Sequence, residues 1–125
     1  MINAMRQILL IFEIIAILLL SSCHAQLLEQ ASISYQKHHD YTSLETIYRH
    51  LTKGMKRTDI ERLLGEPDYS PIEGQYYYSS DREDYLENGT VDQNKVSVGV
   101  VLDYNNDEGI LTDELQMFWL GPIGE

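Results

Sequence analysis

The chain has 125 residues, enough for one small domain. It carries 9 Lys+Arg against 20 Asp+Glu, a formal net charge of −11. That charge excludes nucleic-acid binding through the phosphate backbone, and a single cysteine, Cys23, excludes any disulfide within the chain.

Met1 to Arg6 is a short basic start. Ile8 to Leu20 is an apolar run interrupted by Glu13, and the small residues Ser21, Ser22 and Cys23 follow. This is the order of a secretory signal peptide, residues 1–22. The apolar run is about 13 residues, against the roughly 20 that cross a bilayer. Two cleavage sites compete. Leu20-Ser21-Ser22-Cys23 resembles the bacterial lipobox, and the lone cysteine sits where the lipobox requires it. The resemblance implies a thioether-linked diacylglyceryl group on Cys23 and an acyl chain such as palmitate on its amine. Several such chains, at about 0.8 kcal/mol per buried methylene, hold a soluble domain on a membrane. His24 stands where many inner-membrane lipoproteins have Asp, which by analogy points to the outer membrane, facing the periplasm. The other site is Cys23-His24-Ala25 before Gln26, a small-x-Ala pattern that would release a free secreted or periplasmic protein.

From Cys23 to Tyr41 the chain is polar with scattered apolar residues, and reads as a flexible linker between lipid and domain. It holds three of the four histidines, His24, His38 and His39; the fourth is His50. His38 and His39 are adjacent, their side chains splay apart, and no Cys or paired Glu completes a metal spacing. They read as solvated histidines, with no metal site expected.

The domain proper is expected from residue 42 to 125. In TSLETIYRHLTKGM, Thr42 and Glu45 fit a capping box, and Leu44, Ile47, Tyr48 and Leu51 form one helical stripe. Gly54 supplies the stop. In KRTDIERLLGEPD, Thr58 and Glu61 form a second capping box and Ile60, Leu63 and Leu64 one apolar face. Gly65 and Pro67 end that helix.

Three strands follow. Gly74 to Ser80 is rich in aromatic strand formers. Lys95 to Tyr104 alternates Val96, Val98, Val100, Leu102 and Tyr104 against Ser97, Gly99, Val101 and Asp103. Leu111 to Gly121 places Leu115, Met117 and Trp119 on one side, and Asn105 to Gly109 is the hairpin loop before it. Asp81 to Asn94 reads as a long acidic mobile loop. The expected fold is α+β: two short N-terminal helices packed on a three-stranded antiparallel sheet. The sheet's second face is then exposed unless the loop or the C-terminal tail covers it. Tyr76, Tyr78, Val101 and Phe118 are its candidate partner contacts. In the loop, Asp81, Glu83 and Asp84 are candidates for a basic partner.

LTKGMKRTDIERLLGEPD resembles a signature of the small outer-membrane assembly lipoproteins, the BamE/SmpA/OmlA family. The matching residues are Gly54-Met55, Ile60, Leu63-Leu64-Gly65 and Pro67, then an aromatic strand and a closing hairpin. With the lipobox-like start, the resemblance covers most of the chain from Cys23 onward. It implies the two-helix, three-strand fold and a protein-binding role in outer-membrane organisation or assembly. Lys56 departs from the Thr or Ser usual after the Gly-Met pair, the 81–94 segment is longer than the family's, and FWLGPIGE has no counterpart there.

No catalytic constellation stands out. Asp103, Asn105 and Asp107 alternate, with Glu114 at the twelfth position of a calcium-type loop, but the sixth position holds Glu108 instead of Gly. The segment reads as a polar turn. Asp81, Glu83, Asp84 and Glu87 crowd a polar stretch, where nothing raises a carboxyl pKa for acid catalysis. No phosphate-binding loop or cofactor motif occurs. The expectation is a non-catalytic, lipid-anchored envelope protein that binds another protein, with no cofactor. The alternative is a secreted or periplasmic inhibitor or immunity-type binder that meets a basic enzyme through the acidic loop.

Overall fold

Three helices precede four strands: α1 (Ile2–His38), α2 (Tyr41–His50), α3 (Arg57–Leu64), β1 (Tyr69–Ile72), β2 (Gln75–Tyr85), β3 (Lys95–Asp103) and β4 (Met117–Pro122). The structure is a computed structural model and describes residues 2–85 and 95–123. The α+β class and the antiparallel sheet agree with the sequence reading; the long α1 and the short β1 are additions to it.

The segment after Cys23, expected as a flexible linker, is the second half of α1. Leu28, Ala31, Ser32 and Tyr35 fall at i, i+3, i+4 and i+7, a helical stripe disguised because two of its members are small. Ala31, Ser32 and Tyr35 are buried, and Leu28 packs at the edge of the core. Polar bonds fix the same face. Tyr35 Oη donates to Ser79 O at 2.7 Å, and Ser32 Oγ donates to Leu63 O at 2.7 Å. Gln36 Nε2 donates to the carbonyls of Arg62 and Leu63, satisfying acceptors that the last turn of α3 leaves open. The folded domain therefore begins before residue 42. The first half of α1 differs: its 18-residue apolar window has a mean hydropathy of 2.3 and none of it is buried. By length and composition it suits a membrane span or a signal sequence equally.

His39, at φ 52°, makes the elbow between α1 and α2. The N-cap of α2 is Asp40, two residues before the expected Thr42. Its carboxylate accepts from Ser43 N at 3.1 Å and Ser43 Oγ at 2.6 Å. Glu45 is free of the cap and pairs with Arg49 at 3.0 Å instead. The second expected capping box is also absent. The N-cap of α3 is Lys56, with no side-chain cap bond, and Glu61 is paired with Arg57 at 2.7 Å. Gly65, at φ 76°, ends α3 as expected.

The strands form one antiparallel sheet in the order β1-β2-β3-β4. The acidic stretch begins as strand, because β2 runs on through Asp81–Tyr85 after a register shift between Ser79 and Glu83. Residues 86–94 of the expected loop lie outside the described residues. The turn after β3 is tight, with Gly109 N donating to Asn106 O at 2.9 Å. It does not lead straight into the last strand. Leu111 bridges Asn105, Glu114 bridges Lys56, and β4 starts only at Met117.

The core lies between the helices and one sheet face. Leu44 and Ile47 of α2, Ile60, Leu63 and Leu64 of α3, and Tyr35 of α1 meet Tyr78, Val100, Leu102 and Tyr104. Leu115 joins them from the connection before β4. At about 25 cal/mol per Å² of apolar surface, each such side chain contributes roughly 1.5–3 kcal/mol.

Candidate partner-binding face

Strand periodicity sorts the sheet into two faces. Tyr78, Val100 and Leu102 belong to the core, with Tyr76, Phe118 and Leu120 packed against it. The residues alternating with these, Tyr77, Gly99, Val101, Trp119 and Gly121, therefore lie on the face without helices. The β2–β3–β4 register sets Tyr77, Val101 and Trp119 in one row across it. Tyr69 of β1 packs edge-on against Tyr77, ring centroids 5.6 Å apart.

Two glycines shape this face. A Cβ on Gly121 would lie 3.2 Å from Trp119 Cζ3, so the indole leans over that glycine. A Cβ on Gly99 would lie 2.7 Å from Ile123 Cδ1, so Ile123 folds down onto the middle of β3. The result is a groove of about 490 Å³ lined by Asp68, Tyr69, Tyr77, Lys95, Ser97 and Ile123, among others. In the groove Tyr69 is 49 % exposed, and on β4 of the same face Trp119 is 39 % and Met117 55 % exposed. Exposed aromatic and sulfur side chains on a row of strands are the composition of a contact surface.

The polar rim is largely self-satisfied. Asp68 accepts from Ser79 N at 2.7 Å and Ser79 Oγ at 2.9 Å, and lies 3.4 Å from His39 Nε2. Lys95 pairs across the strands with Glu83 at 3.2 Å. Both partners of that pair are exposed, so it adds little stability.

The residues expected to meet a partner are distributed differently. Tyr78 is a core residue, 2 % exposed, with its hydroxyl donating to Gly65 O at 3.0 Å. Tyr76 lies under the Arg57 guanidinium, 4.6 Å from ring centroid to Cζ. Phe118 packs edge-on against Tyr48 of α2 at 5.7 Å. These three face the helices, contrary to the expectation. Val101 is on the open face as expected, but at 2 % exposure it is the floor between Tyr77 and Trp119 and offers no free surface. In β2 the run Tyr76-Tyr77-Tyr78 is aromatic at every position, so only its register with β3 tells outside from inside. In β4 the reason is a change of phase. Leu115 and Phe118 both face the core three residues apart, because residues 111–116 are not a continuous strand. Met117 and Trp119, expected beside Leu115, are thereby turned outward.

Asp81, Glu83 and Asp84 are exposed on the far end of β2. Asp81 is bonded back into the fold. Its carboxylate accepts from Tyr41 N at 2.9 Å, and its own N–H donates to His39 O at 2.9 Å. It ties the α1–α2 elbow to the sheet. Cys23 is an exposed free thiol on α1.

Burial raises the phenols of Tyr35, Tyr78 and Tyr104 far above their ordinary range, so all three stay neutral. In the calcium-like segment, Asp103 Oδ1 accepts from Asn105 N, and Asn106 Oδ1 accepts from Glu108 N and Ile110 N. These oxygens hold the turn together. Among the described residues, no group of three or more His, Cys, Asp or Glu side chains is placed to hold a metal ion.

Trp119, Tyr69 and Ile123 are candidate contact residues on this face that the sequence reading did not single out. In MFWLG both alternating sets are apolar, so only the pairing of β4 with β3 tells outside from inside. No family model, curated protein or solved structure matches the chain.

Proposed function

We propose that this is a non-catalytic binding protein of the bacterial envelope. It is anchored through lipid on Cys23 and takes a protein partner on the helix-free face of its sheet, in the manner of the BamE/SmpA/OmlA lipoproteins. The observation that carries this reading is the asymmetry of the sheet. Helices cover one face, while the other carries the exposed Trp119 and Met117 of β4 and, toward β1, a groove lined by Tyr69, Tyr77 and Ile123. Soluble domains rarely leave such side chains together without an occupant. The lipobox-like Leu20-Ser21-Ser22-Cys23 supports the anchor, and the thiol is exposed on the helix that enters the domain.

The test has two parts. The mature protein from a bacterial host is weighed by mass spectrometry beside Cys23→Ala; a lipid adduct on the parent alone is expected. Envelope proteins cross-linked to the parent chain are then compared with those cross-linked to Trp119→Ala. Loss of a reproducible partner in that variant, but not in Glu83→Gln, is expected. A mature chain that begins at Gln26 removes the anchor, and a partner that ignores Trp119 but follows Glu83 moves the site to the acidic strand end.

A further inference from the structure

The two edges of the sheet are not alike. The β1 edge is blunted: four residues long, interrupted by Pro71, and irregular in its register with β2. Those are the devices by which sheets avoid adding strands. The β4 edge has little of this. Its six residues, MFWLGP, contain no charge, and its only proline is the last of them. β4 pairs with β3 on one side, and among the described residues no strand pairs on the other. Alternate N–H and C=O groups of β4 therefore point away from the sheet.

This edge is continuous with the open face, since Trp119 and Met117 belong to both. An occupant that fits must supply an extended backbone to the edge and apolar side chains to the aromatic row. Charge narrows it further. The chain carries −11, and Asp103, paired in register with Met117, stands at the start of β4 with Asp113 and Glu114 in the segment before it. Among the described residues only Lys56 is paired with these last two, at 3.5 and 3.2 Å. A second copy would bring the same negative charge to the same place, whereas a basic segment would find complementary charge.

We propose that β4 is a strand-addition site. Its occupant is an extended segment of a partner protein, with apolar residues in alternation and Lys or Arg flanking them, which joins the sheet as a fifth strand. Main-chain hydrogen bonds supply the affinity, and Tyr77 and Trp119, on either side of the covered Val101, select the side chains that lie over them. The inference rests on the binding role proposed above and names the mode of that binding.

The probe is a synthetic peptide alternating Thr and Val with two lysines at each end, titrated by fluorescence anisotropy into the full chain in detergent. Four further titrations accompany it: the peptide with glutamates replacing the lysines, two lysine peptides N-methylated at alternate residues along one edge and along the other, and Trp119→Ala with the parent peptide. Binding of the lysine peptide is expected, weakened at least about tenfold by glutamate flanks and weakened likewise by Trp119→Ala. One of the two N-methylated peptides is expected to lose binding, because that edge donates to β4. Equal binding of parent and both N-methylated peptides overturns strand addition but leaves a side-chain contact face, and so the proposed function, standing. No binding of the lysine peptide, alongside a cross-linked partner that follows Trp119, likewise overturns the edge and spares the function. Sedimentation showing a dimer abolished by Trp119→Ala overturns the proposal in favour of a second copy.

Discussion

Replacing Tyr35 tests whether the second half of α1 belongs to the domain. Its side chain is fully buried between α1 and β2, with its ring 4.8 Å from that of His39 and its hydroxyl 2.7 Å from Ser79 O. Tyr35→Phe removes the hydrogen bond and leaves a partly buried carbonyl oxygen short of a donor, at a cost of about 1–2 kcal/mol. Tyr35→Ala also removes the ring from a closed site and is expected to cost about 3–5 kcal/mol. A domain of this size has a total stability of roughly 5–12 kcal/mol. The alanine variant therefore loses a large share of it, and the phenylalanine variant melts about 5–15 °C lower. Ile33→Ala is the control on the same helix, since Ile33 is 60 % exposed, and it is expected to stay within about 0.5 kcal/mol of the parent. Guanidinium unfolding followed by fluorescence of Trp119, the one tryptophan, measures all three. If Tyr35→Ala is no more destabilising than Ile33→Ala, residues 24–38 are a linker after all and form no part of the domain's core.

Asp40→Ala removes the cap of α2 and is expected to cost about 1 kcal/mol at neutral pH by the same unfolding assay. Burial by itself would raise the Asp40 carboxyl, but hydrogen bonds from Ser43 and Ser34 outweigh it and hold the carboxyl below its ordinary value. The parent's advantage over Asp40→Ala is thus complete above pH ~4 and fades as pH falls through the lower folded-state value, so melts at pH 7 and pH 3 should differ. Gly99→Ala forces a Cβ against Tyr78 O and Ile123 Cδ1 and is expected to lower stability by about 1–3 kcal/mol, read as a lower denaturation midpoint. Tyr104→Phe is expected to cost less than Tyr35→Phe, within about 0.5 kcal/mol of the parent, because the buried Tyr104 hydroxyl has no partner among the described residues.

The parts of the fold that announce themselves in the sequence are those with long apolar side chains at a clear period. Leu44, Ile47, Ile60, Leu63 and Leu64 mark α2 and α3, and Val98, Val100 and Leu102 mark β3 with its buried side. Gly65 marks a helix end because its positive φ is costly for other residues. Caps are less legible, since Asp40, Thr42 and Thr58 are all competent and tertiary bonds choose among them. The second half of α1 escapes notice because Ala31 and Ser32 carry half its buried stripe, and Ser32 is valued for a hydrogen bond that only Leu63 reveals. The open face is legible as a face, but most of its residues are not: the aromatic run of β2 has no phase of its own, and one irregular step between Leu115 and Phe118 reverses the assignment of β4. A period of two forgives no such slip.

The helix that carries Cys23 runs unbroken to His38, so the spacing between the anchoring cysteine proposed above and the domain is an angular quantity as well as a length. Each residue added between Cys23 and Ala31 would advance the domain by about 1.5 Å and turn it by about 100° around the helix axis. Two added residues would swing Trp119 to nearly the opposite bearing, while seven would return it almost to its starting direction one helical pair of turns farther out. The stem from Cys23 thus works as a key of fixed pitch, and the heading of the sheet relative to that residue is encoded in the number of residues between it and Ala31.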